Sequence, residues 1–406
     1  MQKFEKHSPV VVTEVTTKHE LRQFMQYPNR LYADNPNYIP SFYGDDLSDW
    51  TPGKNPAFDY CEARCWLARR DGEIVGRIGA ILSHKANDKF GTHRMRFSQV
   101  DFVDDSEVSA ALFGTVERWA REKGCDQVHG PLGFTDMDRE GMLVEGFDRR
   151  SLFFTNYNAP YYLEHLTRLG YRKDVDWIEY RITVPEPGGA EAERLHKLSE
   201  FILKRKHLHV ATVHHKSEYG PFVRQVFELV NAAYAPLYGV VELSDEQIER
   251  YANKFIPLVD PDFVCFVVDE QDQLVAFGVT ALDPSVALKH SDGRLFPFGW
   301  AGVLNDLHHS DTLIMLLTAV RPDLQAEGIN AVMMDHVCQS CNRHGVRFAE
   351  TGPMLELNDH ILAQWKRLEK EQHKRRRCFI KDLDHDVNAA NAAAAQTETP
   401  ETESAE

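Results

Sequence analysis

One order of elements is written twice along this chain, and that repetition limits its fold more than any other feature. In the first half the apolar runs Cys65–Ala68 and Ile74–Leu82 flank Arg70-Asp71-Gly72-Glu73, a hairpin signal. A strand over Met95–Phe102 follows. Next comes a helix capped by Asp105 or Ser106, with Val108, Leu112, Val116 and Trp119 at helical spacing and Gly124 as its stop. A short strand over Asp126–His129 then meets Gly130-Pro131. In the second half Phe263–Val268 and Leu274–Ala281 flank Asp269-Glu270-Gln271-Asp272, Thr312–Val320 is an apolar strand, and Ile329–His344 is a helix stopped by Gly345. A short strand and Gly352-Pro353 complete it, so helix, glycine, strand and Gly-Pro recur in order at Arg121–Pro131 and Asn342–Pro353.

Internal duplication accounts for this with one assumption. The break in periodicity at Pro185-Glu186-Pro187-Gly188-Gly189 is the predicted boundary, giving an N-terminal domain over 1–185 and a C-terminal domain over 190–385. Residues 388–406, rich in Ala, Asn, Thr and Glu, predict a disordered tail. Each half is expected to be α/β of the α+β kind, a mixed and mostly antiparallel sheet flanked by helices, because hairpins interrupt any strict β-α-β alternation. Hydrophobic residues make up 43% and aromatics 11% of the 406 residues, enough for two packed cores.

No run of about 18 apolar residues occurs, and the N-terminus lacks the apolar stretch and cleavage site of a signal peptide. The expected location is therefore the cytoplasm, with peripheral contact at the inner membrane face left open and no transmembrane segment. Seven cysteines without framework spacing predict free thiols. A net charge of −16 argues against nucleic acid as a partner. It does not exclude a local anion site, since a helix N-terminus binds phosphate through its own dipole and amides.

Such a site is suggested by Val320-Arg321-Pro322-Asp323-Leu324-Gln325-Ala326-Glu327-Gly328-Ile329-Asn330-Ala331, which joins the central strand of the second half to its helix. This stretch resembles the pyrophosphate loop of the GNAT acyltransferase superfamily, Q/R-x-x-G-x-G/A, with Gln325, Gly328 and Asn330 in the motif's places. The wording Gly130-Pro131-Leu132-Gly133-Phe134, Gly141–Phe147, Asn158-Ala159-Pro160-Tyr161-Tyr162 and Leu169-Gly170-Tyr171 is similar to that of the YghO-like family of tandem GNAT proteins, as is Gly293–Gly299. Together these cover about residues 15 to 383. The first half departs from the pattern: Val103-Asp104-Asp105-Ser106-Glu107 has no glycine and three carboxylates where the loop would stand, so no CoA is expected there.

The resemblance implies an acyl-CoA-dependent N-acyltransferase with acyl-CoA as co-substrate and no metal. The donor would rest on Ala319, Val320, Arg321, Gln325, Ala326, Gly328, Ile329 and Asn330, and the amides near Ala319–Arg321 would polarise the thioester. Glu350 and Glu356 are candidate general bases. Asp138, Glu145, Asn158, Tyr161 and Tyr162 are candidates for the acceptor. Trp365 stands where many GNAT enzymes place a tyrosine that protonates the thiolate, and an indole cannot do so. About thirty residues intervene between Leu282 and Thr312, including Leu295, Phe296, Phe298, Trp300, Val303 and Leu304. So apolar an insertion predicts a lid or wall for a hydrocarbon chain, with Phe298 and Trp300 on the substrate. The family's association with sphingoid-base N-acylation suits that reading and suggests a lipid amine acceptor.

Other signals carry less. Cys338 and Cys341 lie within a predicted helix, and Cys61 and Cys65 are the only other close pair, so zinc is not expected. His214-His215 and His308-His309 have no ligand spacing. Lys374-Arg375-Arg376-Arg377 is expected to be solvated or to meet the CoA 3′-phosphate. Two other functions fit the pattern: an inactive GNAT-like scaffold, and an aminoacyl-tRNA-dependent transferase, which would need a basic groove.

Overall fold

The computed structural model describes residues 8–383, so the tail expected over 388–406 lies outside the described residues. In the first half β1 (Val11–Glu14), β2 (Cys61–Arg70), β3 (Glu73–Ser83) and β4 (Arg94–Phe102) pair antiparallel in sequence order. The helix Ser106–Glu122 then carries the chain back, buries Val108, Leu112, Val116 and Trp119 against the sheet, and delivers β5 (Gln127–Gly130) parallel to β4. β6 (Met142–Glu145) and β7 (Arg172–Thr183) follow.

The second half repeats this. β8 (His209–Val210), β9 (Val264–Val268), β10 (Leu274–Leu282) and β11 (Thr312–Val320) pair antiparallel, and after the helix Asn330–His344 β12 (Phe348–Glu350) lies parallel to β11. β13 (Met354–Leu355) and β14 (Lys370–Asp382) end it. The likeness extends to an irregularity at one place in each half. Pairing slips from Arg77↔Asp101 to Gly79↔Ser98 in one, where Gln99 has φ 47°, and from Val279↔Leu317 to Thr280↔Met315 in the other, which makes Leu316 the extra residue of a bulge.

The last strand of each half sits in the other half's sheet. β7 pairs with β12 and β13, β14 pairs with β5 and β6, and β7 and β14 pair with each other, so one fourteen-stranded sheet runs through the molecule. Alternation along β14 sends Lys374 and Arg376 to one face and Arg375 and Arg377 to the other. Lys374 and Arg376 are fully buried against Glu179 of β7, at 3.2 Å and 2.5 Å, and Arg376 also donates to Thr155 and to the carbonyl of Asn156. Arg375 and Arg377 meet Asp176 at 3.3 Å and 2.7 Å. The run expected to be solvated is thus half core and half ion-pair network, because a central strand has no outer face. The two attractive cations hold Glu179 well below the usual carboxylate range, at about 2, despite its burial.

The insertion between β10 and β11 folds as two helices, Ser285–His290 and Gly299–His309. Leu288, Val303 and Leu307 pack inward with Ile39, Leu152 and Phe153 of the first half. All seven cysteines are unpaired and buried. Among the described residues no helix is long and apolar enough to cross a membrane.

Candidate functional site

β11 keeps its parallel partner only from Thr312 to Ile314; from Met315 onward its edge toward β12 is unpaired and the sheet splays. The chain leaves β11 through Arg321, makes a short turn over Pro322–Leu324, and enters the helix at Asn330. That helix has no side-chain cap and no acidic residue in its first turn. The amides of Gln325, Ala326, Gly328, Ile329 and Asn330 make no hydrogen bond within the described chain, and residues 325–328 are exposed. Ala326 and Gly328 have φ of 64° and 84°, which turns successive amides to one side. Gly328 is required twice over: its φ is left-handed, and a Cβ there would lie 2.9 Å from Ile202 Cδ1. Ile202 belongs to the helix Ala190–Lys206, whose last turn brings Lys204, Arg205 and Lys206 up to the turn, Lys206 pairing with Glu327 at 2.7 Å. An uncapped helix start beside the basic end of another helix suits a diphosphate.

The matching position in the first half is closed. Asp105 caps the helix Ser106–Glu122 through the amides of Glu107 and Val108, and Arg70 pairs with both Asp105 and Glu107. Tyr161 and Tyr162, expected at the acceptor, spend their hydroxyls on the backbone of Phe102, and Tyr162 is fully buried. Asn158 is buried likewise and exchanges two hydrogen bonds with the backbone of Leu143. These hydrogen bonds tie the three side chains into the first half's core.

From the turn, an apolar groove runs between β11 and the helix Asn330–His344. Met315, Leu317, Met333, Val337 and Ala349 line it and Trp365 closes its far wall. Trp365 is buried, and its indole N–H points at Met354 Sδ, 3.2 Å away. Of the amides expected to polarise the carbonyl, that of Arg321 donates to Val275 of β10 at 2.9 Å and that of Ala319 turns the same way, while alternation turns the amide of Val320 toward the unpaired edge. The unpaired edge begins earlier, at Met315, next to the bulge.

Glu350 is the last residue of β12 paired to β11, and alternation turns it away from the groove that Ala349 faces. Its carboxylate is 3.2 Å from Lys374 Nζ and 3.9 Å from His373 Nε2, a buried nitrogen without a hydrogen-bond partner. Burial and the adjacent Lys374 pull His373 down to about 3, so it stays neutral. Glu356 stands elsewhere, tied to Lys173 and Arg375 with Asp176. Glu145 is exposed and meets only Arg375. The two expected bases are therefore not one site.

A cleft opens between the halves. Phe42, Phe153, Phe154 and Leu258 give it apolar walls; its polar end holds Asp45 and Asp138 beside Asp46, paired with Arg139 at 2.9 Å, and Asp49, paired with Lys254 at 2.8 Å. Asp138 is held by the amides of Phe134 and Thr135, at 2.8 Å and 3.1 Å. The same first-half loop carries Asp136 and Glu140, which have no ion-pair partner among the described residues. Burial raises both, Asp136 to about 6. Asp136 lies close enough to raise the Tyr234 hydroxyl, which donates to the Thr318 carbonyl at 2.8 Å. Sequence reasoning found Asp138 and missed its neighbours, whose signal was three carboxylates at alternate positions directly after Gly133-Phe134. Phe298 is 80% and Trp300 47% exposed, and both stand outside the lining of the groove and the cleft.

No protein-family model matches the chain. It is 27% identical over 379 residues to Protein YghO of Escherichia coli, covering 92% of this chain and 95% of that one. It is 28% identical over 300 residues to the Bacterial ceramide synthase of Caulobacter vibrioides, covering 72% of this chain and 75% of that one. Among solved structures, a tandem GNAT protein from the clavulanic acid biosynthesis pathway superposes with a TM-score of 0.52 at 14% identity, over 92% of this chain and 99% of the other. A GCN5-related N-acetyltransferase from Sphaerobacter thermophilus does so with 0.50 at 13%, over 92% and 96%.

Proposed function

We propose that this chain, a YghO-like protein with the tandem GNAT fold, moves an acyl group from CoA to an amine, using its second half for the donor and both halves for the acceptor. One observation carries the reading: an exposed, uncapped helix start at Gln325–Asn330 opens into an apolar groove beside an unpaired strand edge. The diphosphate would take the free amides, and the pantetheine arm and acyl chain would follow the groove. Asp105 and the tyrosine pair fill the equivalent place in the first half, so one CoA per chain is expected.

The acceptor would enter from the cleft. A hydrocarbon-bearing amine matches apolar walls that end at Asp45 and Asp138, the two cleft aspartates without an ion-pair partner among the described residues, which favours a lipid amine such as a sphingoid base; the ceramide synthase relative points the same way. Attack forms the C–N bond and expels the CoA thiolate, whose low basicity lets it leave without an acid at Trp365. The amine must first lose a proton, and Asp136 suits this better than Glu350. Its affinity for protons is raised toward working pH, whereas Glu350 is committed to Lys374.

Two variants separate these carboxylates. Asp136→Asn is expected to lower kcat about 100-fold and to abolish an acid limb near pH 6, because the base works only when ionised and the parent loses it as pH falls through that value. Glu350→Gln should leave the limb in place. A limb that survives in Asp136→Asn and vanishes in Glu350→Gln reverses the assignment.

A further inference from the structure

Half of the large apolar side chains that the described chain exposes fall within nineteen residues of the β10–β11 insertion. Val286 is 49% exposed, Phe296 81%, Phe298 80%, Trp300 47% and Leu304 45%. In the helix Gly299–His309 one apolar stripe carries Trp300, Val303, Leu304 and Leu307; Val303 and Leu307 are buried in the core, while Trp300 and Leu304, four residues apart, emerge at its exposed border. The two helices cross closely at Gly302, whose added Cβ would meet Ala287 Cβ at 3.1 Å. The Trp300 indole N–H is already bonded to the Pro297 carbonyl at 3.1 Å, so the ring enters an apolar phase with its one donor satisfied.

This insertion is fixed to the rim of the cleft between the halves. Asn29 donates to Asp292 O at 3.1 Å, the Tyr43 amide to Gly293 O at 3.0 Å, and Lys289 Nζ to Asn35 O at 2.8 Å. Gly293 permits the approach, since a Cβ would fall 1.9 Å from Ser41 O. Ser41 and Phe42 themselves line the cleft. The exposed aromatics therefore stand beside its mouth.

We propose that this insertion docks the protein on a lipid bilayer and sets the cleft mouth at the membrane surface. Three observations favour a bilayer over a second copy of the chain. Five side chains supply at most a few hundred Å², short of the roughly 800 Å² per partner of a stable interface. Aromatic rings lead the patch, as they do where proteins meet the headgroup boundary. Residues 285–310 hold two cations, Lys289 and Arg294, against two aspartates, in a chain of net charge −16, and add His290, His308 and His309, so this segment lacks the chain's overall repulsion from anionic lipid. Only the identity of what enters, an amine drawn from the bilayer, rests on the acyl-transfer reading; docking does not.

Sedimentation of the full chain with vesicles of phosphatidylethanolamine and phosphatidylglycerol tests this. The parent should bind, and a Phe296→Ser, Phe298→Ser, Trp300→Ser variant should partition about tenfold more weakly. Acyl transfer to a short water-soluble alkylamine should be equal in both. A parent that stays in the supernatant, or a variant that binds as well as the parent, overturns the proposal. So does a parent dimer in sedimentation velocity that the variant lacks, which would assign the patch to self-association. Vesicle binding without turnover on any amine would instead refute the acyltransferase reading and leave docking standing.

Discussion

Glu179→Ala is expected to cost about 3–5 kcal/mol of stability, read as a fall in the urea midpoint, because it leaves Arg376 buried with no counter-charge and Lys374 with Glu350 alone. The magnitude follows from desolvation: all three side chains are sealed from solvent, so the lost attraction is not replaced by water. Replacing Glu179 and Arg376 together by Leu and Met should recover most of that loss, since the cost comes from unpaired charge and Lys374 keeps Glu350 as its partner. The cluster also fixes a pH dependence. Glu179 has a folded value near 2, below its ordinary 4.5, so its contribution is full above pH 4.5 and is lost as pH falls from there through 2. A Glu179→Ala protein that melts within a degree of the parent would mean that water reaches the centre of the sheet.

Gly328→Glu is expected to weaken CoA binding about 100-fold by calorimetry, close to 2.7 kcal/mol. It places a carboxylate where the diphosphate would sit, and does so at φ 84°, which non-glycine residues resist. Gly328→Ala should lose less, since it adds the backbone strain and the approach to Ile202 without the charge. The same pair in the first half supplies a control. Asp105→Ala removes a cap and an ion pair, so it should lower the melting temperature without changing CoA affinity. CoA bound by a folded Gly328→Glu protein as tightly as by the parent would remove the basis of the donor site.

Local signals were legible in the sequence. The strand Thr312–Val320 has the predicted bounds, the following helix starts one residue later than expected, and both glycine stops lie just past their helices with positive φ. These features depend on neighbours within a turn or a pleat. The misreadings share another cause. Lys374–Arg377 looked solvated because its partner Glu179 lies 195 residues away, and no local pattern marks a cation run as one strand of a buried sheet. The insertion's apolar content was plain, but composition does not say whether a greasy face turns inward or out. Asp136 and Glu140 escaped notice because their character comes from burial between the halves, which the order of residues does not encode. Tyr161 and Tyr162 drew notice for the opposite reason: a polar ring suggests recognition, and here each hydroxyl serves its own backbone.

The reciprocal placement of β7 and β14 has a consequence for how the molecule is made. On the ribosome, β5 emerges long before the strand that will cover its edge, so the first half must wait for nearly all of the second to be synthesised before its sheet is complete. Fragments split near residue 187 should each be prone to aggregate through an open edge when expressed alone, yet should regain native spectra when mixed. The two halves therefore have no independent lives, and a gene cut between them would yield partners rather than domains.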